Sequence, residues 1–451
     1  MNAVEEHRPA HRETARGSIF LLPRPIIARN LALKSASEVV ARVIQFGFIV
    51  VVVRCLGTRG FGLYSFAAAL GFVLAQFSDL GLQLYVAREI ARAPERRSQI
   101  LGAALRCKVI LFALCVVFLS CYAGIQQSVI ERDVLFVLAL AVALTSFLEL
   151  LNYAFRGYQR LEFEAALNLA ARLMGPGIAM PALVYGASLR TVAWILLLAN
   201  IAAVALGYHW LTRRFTRPDW RVKRSESWHA LTQVLPLGIA IVSSALYART
   251  GVLVLTRSVS LDAAGWFNAA HRLTEPLQLL PAIALAAIYP AFAALEDVRR
   301  QQSLAHRTFI ALLLLSFAVS LPLWLGARVI TASLYGPDFK SSEAALRWLA
   351  LSVMPTFLNY ALTHFMVARG RAWFNALFNS VVLIENVSLN AWLDPRFGAS
   401  GAAVSMLASE LTLFALCVLG YRRAMTTAAN CTISPGTEAS AAESVTRRAG
   451  D

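Results

Sequence analysis

Residues 133–155 read DVLFVLALAVALTSFLELLNYAF. From Val134 to Leu148 the run holds no charge and consists mostly of Leu, Val, Ala and Phe. As a helix it rises about 34 Å at 1.5 Å per residue, enough to cross a hydrocarbon core of about 30 Å. The same ruler, moved outward, finds twelve such segments, at 31–54, 62–88, 103–124, 133–155, 165–187, 191–212, 230–255, 264–294, 308–334, 344–368, 373–393 and 399–421. The fold class expected is therefore an all-α polytopic membrane protein.

Composition agrees with this reading. Of 451 residues, 58% are hydrophobic and 15% charged, while the net charge is +16. Soluble domains average about 25% charged residues, so an ordinary soluble enzyme and a disordered chain are both excluded. The excess charge does not point to nucleic acid, because the arginines lie between apolar runs. No two of the six cysteines stand at metal-site spacing, and a disulfide scaffold is excluded. The first thirty residues have no apolar core followed by a cleavage site, so they do not read as a signal peptide.

Arginines set the expected orientation. Arg88, Arg92, Arg96 and Arg97, then Arg213, Arg214, Arg217, Arg221, Lys223 and Arg224, then Arg299, Arg300 and Arg307 crowd alternate loops. The intervening loops hold isolated cations such as Arg132, Arg190, Arg257 and Lys340. By the positive-inside rule both termini are cytoplasmic, in a plasma (inner) membrane. The basic linker divides the chain into a tail at 1–25, a six-helix bundle at 26–212, the linker at 213–229, a second six-helix bundle at 230–423 and a tail at 424–451. Equal span numbers give the halves one orientation, related by an axis along the membrane normal, around a central cavity.

Polar residues inside the spans fall in helical stripes: Lys34, Glu38, Arg42 and Gln45; Gln76, Asp79 and Gln83; Thr145, Glu149, Asn152 and Arg156; Asn268, Arg272 and Glu275; Asn375, Asn379, Asn386 and Asn390. Arg249 stands in the seventh span. A single stripe serves equally well as interhelical glue at about 0.6 kcal/mol per contact. Five stripes across both halves favour a hydrated cavity. Arg42, Arg249 and Arg272 are its candidate anion ligands, since a guanidinium offers forked donors suited to phosphate. Asn268, Asn375 and Asn379 are candidate substrate-binding residues of the same cavity. Asp79, Glu149, Glu275 and Glu385 are candidates for ion coupling. Prolines 176, 181, 236, 276, 281, 290 and 355 are expected to interrupt their helices.

There is no GxxxxGK[ST] loop, no HExxH and no clustered Cys/His, so neither an ATP-driven pump nor a metal enzyme is indicated. No catalytic residue, cofactor or metal is assigned.

Three stretches carry a family resemblance. Leu56-Gly57-Thr58-Arg59-Gly60-Phe61-Gly62-Leu63-Tyr64 continues to Phe77-Ser78-Asp79-Leu80-Gly81-Leu82. Leu246-Tyr247-Ala248-Arg249 leads through Ala264-Gly265-Trp266-Phe267-Asn268-Ala269-Ala270-His271-Arg272-Leu273 to Ile288-Tyr289-Pro290. Leu334-Tyr335-Gly336-Pro337-Asp338-Phe339 precedes Phe397-Gly398-Ala399-Ser400-Gly401-Ala402-Ala403. In their order the chain, from about Ala28 to Arg423, resembles the Wzx-type oligosaccharide flippases. These are polysaccharide-biosynthesis membrane proteins of the multidrug/oligosaccharidyl-lipid/polysaccharide (MOP) exporter superfamily, which is MATE-like in fold. It departs from them at Gly251, where relatives commonly carry an acid, and at His271, where a tyrosine is usual.

The resemblance implies alternating-access movement of an undecaprenyl-diphosphate-linked oligosaccharide from the cytoplasmic to the outer leaflet, for O-antigen, capsule or exopolysaccharide assembly. Its implied partners are that lipid-linked cargo, membrane lipids, and a polysaccharide polymerase with chain-length proteins, without nucleic acid. Two alternatives stay open. A MATE-type drug or cation antiporter would need a cavity dominated by acids, and a peptidoglycan-precursor flippase often carries two extra helices.

Overall fold

The computed structural model describes residues 24–125, 128–295, 297–368 and 372–432. Most of both predicted tails, together with Arg369 and Arg371, lies outside the described residues, as do the side chains of Lys34 and Asn375.

The described chain is almost wholly helical: α1 (Arg24–Asp79), α2 (Leu82–Arg92), α3 (Arg97–Gly124), α4 (Val129–Gly157), α5 (Leu161–Met174), α6 (Pro176–Val184), α7 (Leu189–Arg214), α8 (Arg224–Ser258), α9 (Leu261–Thr274), α10 (Leu279–Ala294), α11 (Val298–Tyr335), α12 (Ser342–Ala368), α13 (Ala372–Phe397) and α14 (Ala399–Thr432). No strand occurs among the described residues. Backbone groups in lipid must be satisfied within their own segment, which leaves helices as the solution for single apolar spans.

The helices run to and fro between two faces. One carries the arginine-rich connections at 93–96, 158–160 and 215–223; the other carries the arginine-poor connections at 185–188, 259–260 and 336–341. Two predicted rods are joined and several are broken. α1 takes in the first span and most of the second, turning at Gly57, whose φ of 65° is open to glycine at little cost. The second rod breaks again at Leu80 (φ 44°) and Gly81 (φ 85°) before α2. α5 stops at Gly175 and α6 starts on Pro176. α9 and α10 are separated by a 3-10 turn at Glu275–Gln278, with Pro276 inside it. In contrast, α6 passes through Pro181, α8 through Pro236, α10 through Pro281 and Pro290, and α12 through Pro355 without interruption. The expected breaks fail there because neighbouring helices and local adjustment accommodate proline in membrane helices.

Eight helical stretches are long and apolar enough to cross a membrane among the described residues, and the first of them, Glu38–Arg92, includes the turn at Gly57. The rods that fall short are α9/α10, α12 and α13; α9, α12 and α13, together with α8 and α14, line a polar cavity in the second half.

Each half has its own packing centre. In the first, α4 lies against α1 and α7, with α2, α3 and α5 around it. In the second, α12 packs on α14, α11 and α9, while α13 packs on α14 and α8. The halves meet where α1 crosses α8 and α9, and where α2 and α3 meet α8.

Two glycine contacts set how closely α1 and α9 approach. A Cβ on Gly62 would lie 1.8 Å from the carbonyl oxygen of Leu261, and one on Gly265 would lie 2.4 Å from that of Thr58. Asn268 Nδ2 donates to Ser65 Oγ at 2.6 Å across this crossing. Arg54 Nε donates to the Leu334 carbonyl at 2.7 Å. The arginine-poor side is thus closed.

Candidate functional site

Four arginines from four helices converge beneath that closure. Arg42 is exposed on the first arm of α1. One turn on, Gln45 Oε1 accepts from Arg172 Nη1 on α5 at 2.7 Å, which draws the two helices and their cations together. Arg249 on α8 lies over the ring of Phe72 from the other half, 4.8 Å from its centroid. Arg272 comes from the end of α9. The hydroxyl of Tyr64, on the second arm of α1, lies within coulombic range of Arg172, Arg249 and Arg272.

Glu275 sits between the two arginines of the second half. Arg249 Nη2 donates to its Oε1 at 2.9 Å, and Arg272 Nη1 donates to its Oε2 at 3.2 Å. The break after Thr274 makes this possible, because the 3-10 turn carries Glu275 toward α8. The Nε groups of both arginines are buried and have no hydrogen-bond partner among the described residues. Glu149 on α4, exposed, lies within coulombic range of Arg172. Arg249 and Arg272 are thus paired with Glu275, while Arg42 and Arg172 make no salt bridge among the described residues.

α10 packs chiefly on α11 and α12, and α5 chiefly on α1, α4, α6 and α7. These two rods, one from each half, are therefore not packed on each other.

A second polar cavity, of about 340 Å³, lies within the second half. His271, Glu275, Asn359, Asn379 and Glu410 are on its wall. Glu410, 5% exposed, accepts from Tyr247 Oη and from Asn359 Nδ2, each at 2.8 Å. It forms no salt bridge among the described residues.

The predicted residues fall into different places. Arg249, Arg272 and Glu275 share one network, and Arg42 and Glu149 belong to the first half. Asn379 lines the second cavity. Asn268 is buried in the closure and bonded to Ser65. Asp79 is buried and bonded to Lys108 Nζ at 2.5 Å. It also accepts from the amide of Gly81 at 3.2 Å, so this pair braces the break before α2. Glu385 on α13 accepts from Thr412 on α14 at 2.8 Å. The asparagine stripe divides: Asn386 bonds Ser409 on α14, and Asn390 bonds back to Asn386.

Arg172, Tyr64, Lys108 and Glu410 are additions to the sequence reading. A signal was present for two of them. Arg172 is a lone cation in the fifth span, and Glu410 a lone acid in the twelfth. Charges at such depth are expensive unless they serve a site. Among the described residues no group of His, Cys, Asp and Glu converges to hold a metal.

The fold and its inward-facing charged network define a multi-pass membrane transporter built from two helical bundles. The sequence places it further: a family model described as "Polysaccharide biosynthesis protein" matches residues 27–296, and the chain belongs to that family. It is 22% identical over 410 residues, 87% of this chain and 95% of the relative, to the Escherichia coli (strain K12) protein named "Putative O-antigen transporter". In three dimensions it is similar to the lipid II flippase MurJ in an inward closed conformation. That match has a TM-score of 0.67 at 11% identity and covers 88% of this chain and 89% of the other. It is also similar to an inward-facing multidrug resistance MATE family transporter of the MOP superfamily, with a TM-score of 0.65 at 15% identity, covering 88% and 96%. At these identities the likeness is one of fold.

Proposed function

We propose that this protein moves an undecaprenyl-diphosphate-linked oligosaccharide across the membrane by alternating access, supplying surface polysaccharide assembly. The observation that carries this reading is the gathering of Arg42, Arg172, Arg249 and Arg272 from both halves, with Arg42 and Arg172 in no salt bridge among the described residues. A drug or cation antiporter needs the opposite sign.

The physics of the cargo fits this gathering of arginines. A sugar diphosphate loses its hydration in hydrocarbon at prohibitive cost, and arginine donors replace that water at the phosphates. On this reading the diphosphate displaces Glu275 from Arg249 and Arg272, and the sugar extends into the polar space. The tail stays in lipid through the gap between α5 and α10. The arginine-rich face is the cytoplasmic one, by the charge bias of its loops, and both termini lie there, in the inner membrane. Cargo loads from this face. Separation of α1 from α9 at the Gly62 and Gly265 crossing then opens the other side. Polysaccharide polymerase and chain-length proteins are the expected partners after release.

Two sources of energy suit the structure. A cytoplasm that is negative by 100 mV favours outward movement of a dianion by about 4.6 kcal/mol. Glu410 is surrounded by neutral donors, so its charge must be balanced when it is ionised in the membrane. We assign it the ion-linked step in preference to Asp79, whose charge Lys108 already matches.

The test is transfer of a fluorescent polyprenyl-diphosphate sugar across proteoliposomes. Transfer by the wild type and its loss in Arg249→Ala and Arg272→Ala protein of unchanged thermal stability are expected. Equal transfer by all three would refute the assignment.

A further inference from the structure

Two pockets on the arginine-poor side match each other in a way the cargo site does not require. The first, of about 440 Å³, lies where the end of α3 meets the starts of α4 and α7. The second, of about 450 Å³, lies between α11 and the start of α12. In each half this is the junction of the third and fourth rods.

Their chemistry repeats. In the first, Arg190 pairs with Asp133 at 3.0 Å, Arg132 makes no salt bridge among the described residues, and Trp194 is 45% exposed at the wall. In the second, Arg347 pairs with Glu343 at 2.8 Å, Lys340 makes no salt bridge among the described residues, and Trp324 and Trp348 stand at the wall. Each ring therefore holds two cations and one acid, with one positive charge left over. The source differs: α7 supplies Arg190 and Trp194 in the first, whereas α12 supplies both Arg347 and Trp348 in the second.

An exposed apolar stripe leads from each pocket toward the middle of the bilayer. On α11 it runs through Trp324, Leu321, Phe317, Leu314 and Ile310, spaced 3, 4, 3 and 4. On α3 it runs from Gly124 through Cys121, Val117, Leu114 and Ile110 with the same spacing. Such spacing keeps the residues on one helix face, and each stripe is about 21 Å long at 1.5 Å per residue. A cationic ring at the interface joined to an apolar stripe of that length matches a phosphodiester and one acyl chain.

We propose that these pockets are a pair of binding sites for an anionic glycerophospholipid in the leaflet on the arginine-poor side. The phosphodiester sits on Arg132 in one and Lys340 in the other. The tryptophans hold the glycerol and upper chain, a position suited to an amphipathic ring. The net charge of each ring selects an anionic headgroup over a zwitterionic one.

The experiment is nondenaturing mass spectrometry of the purified full chain, delipidated and then titrated with phosphatidylglycerol or phosphatidylethanolamine. The wild type is expected to retain two phosphatidylglycerols after activation that strips phosphatidylethanolamine. Arg132→Gln and Lys340→Gln each lose one, the double variant loses both, and Lys340→Arg keeps its lipid. Arg257→Gln, an exposed cation on the same side that lines neither pocket, keeps both. Thermal unfolding unchanged from the wild type verifies the fold of each variant. Retention of both lipids by the double variant, or equal retention of the two headgroups, overturns the proposal.

Discussion

The guanidinium of Arg249 on α8 donates to the carboxylate of Glu275 at 2.9 Å, and Glu275 is at the same time bonded to Arg272. A half-buried acid thus occupies the candidate anion ligands Arg249 and Arg272, and an incoming anion has to compete with it. Removing the acid's charge releases both arginines. Glu275→Gln is therefore expected to bind a polyprenyl-diphosphate sugar about tenfold more tightly, a difference of 1.4 kcal/mol, and to release it more slowly. Equilibrium binding and single-turnover transfer measure the two; weaker binding would refute the competition.

Arg172 is held by Gln45 across two helices of the first half. Loss of one charge-assisted hydrogen bond to phosphate costs about 1.5–3 kcal/mol. Arg172→Ala should weaken cargo binding about tenfold or more, with partial recovery in Arg172→Lys. Fluorescence titration checks this, and wild-type affinity in the alanine variant would remove Arg172 from the site.

The closure between α1 and α9 tolerates no side chain at Gly62, where a Cβ would lie 1.8 Å from the Leu261 carbonyl. Gly62→Val should hold the arginine-poor side apart. Ser65→Cys, buried in the wild type, then becomes reactive to a membrane-impermeant maleimide in the Gly62→Val background. Continued protection would show that the helices close by another route.

Lys108 and Asp79 are both buried, and each is the other's only salt-bridge partner among the described residues. Removing one member of a buried pair costs about 3–5 kcal/mol. Lys108→Met should lower the unfolding temperature in detergent, and addition of Asp79→Asn should restore much of it. Equal stability of the single variant and the wild type would place the pair outside the packing of α2 and α3.

Glu410 accepts from Tyr247 and Asn359 and faces the cavity of the second half. Glu410→Gln keeps the shape and removes the charge. Transfer by this variant should still respond to an imposed voltage but lose its response to a pH gradient. A wild-type response to the pH gradient would return the coupling role to another acid.

Much of this architecture is legible in the chain. Apolar length marks the rods, because lipid imposes a hydrophobic minimum on any crossing segment. Loop arginines mark the alternation of faces, and Gly57 and Pro176 mark a turn and a break. Arg249 and Arg272 stand out because charge is expensive at that depth. These signals are local: each is carried by a residue and its immediate neighbours.

Pairing is not local, and tertiary structure alone decides it. Asp79 and Glu275 look alike in sequence, each an acid on a polar stripe. The first is matched by Lys108 from α3 and braces a helix break, while the second is shared by Arg249 and Arg272. Asn268 shares a stripe with Arg272, yet it bonds Ser65 in the closure. Asn386 and Asn379 share a helix, but the first is bonded to α14 and the second is on a cavity wall. A helical stripe fixes which residues share a face. Which helix lies opposite is set by packing, and so whether a polar residue meets an ion partner, a neighbouring helix or open cavity is set there too.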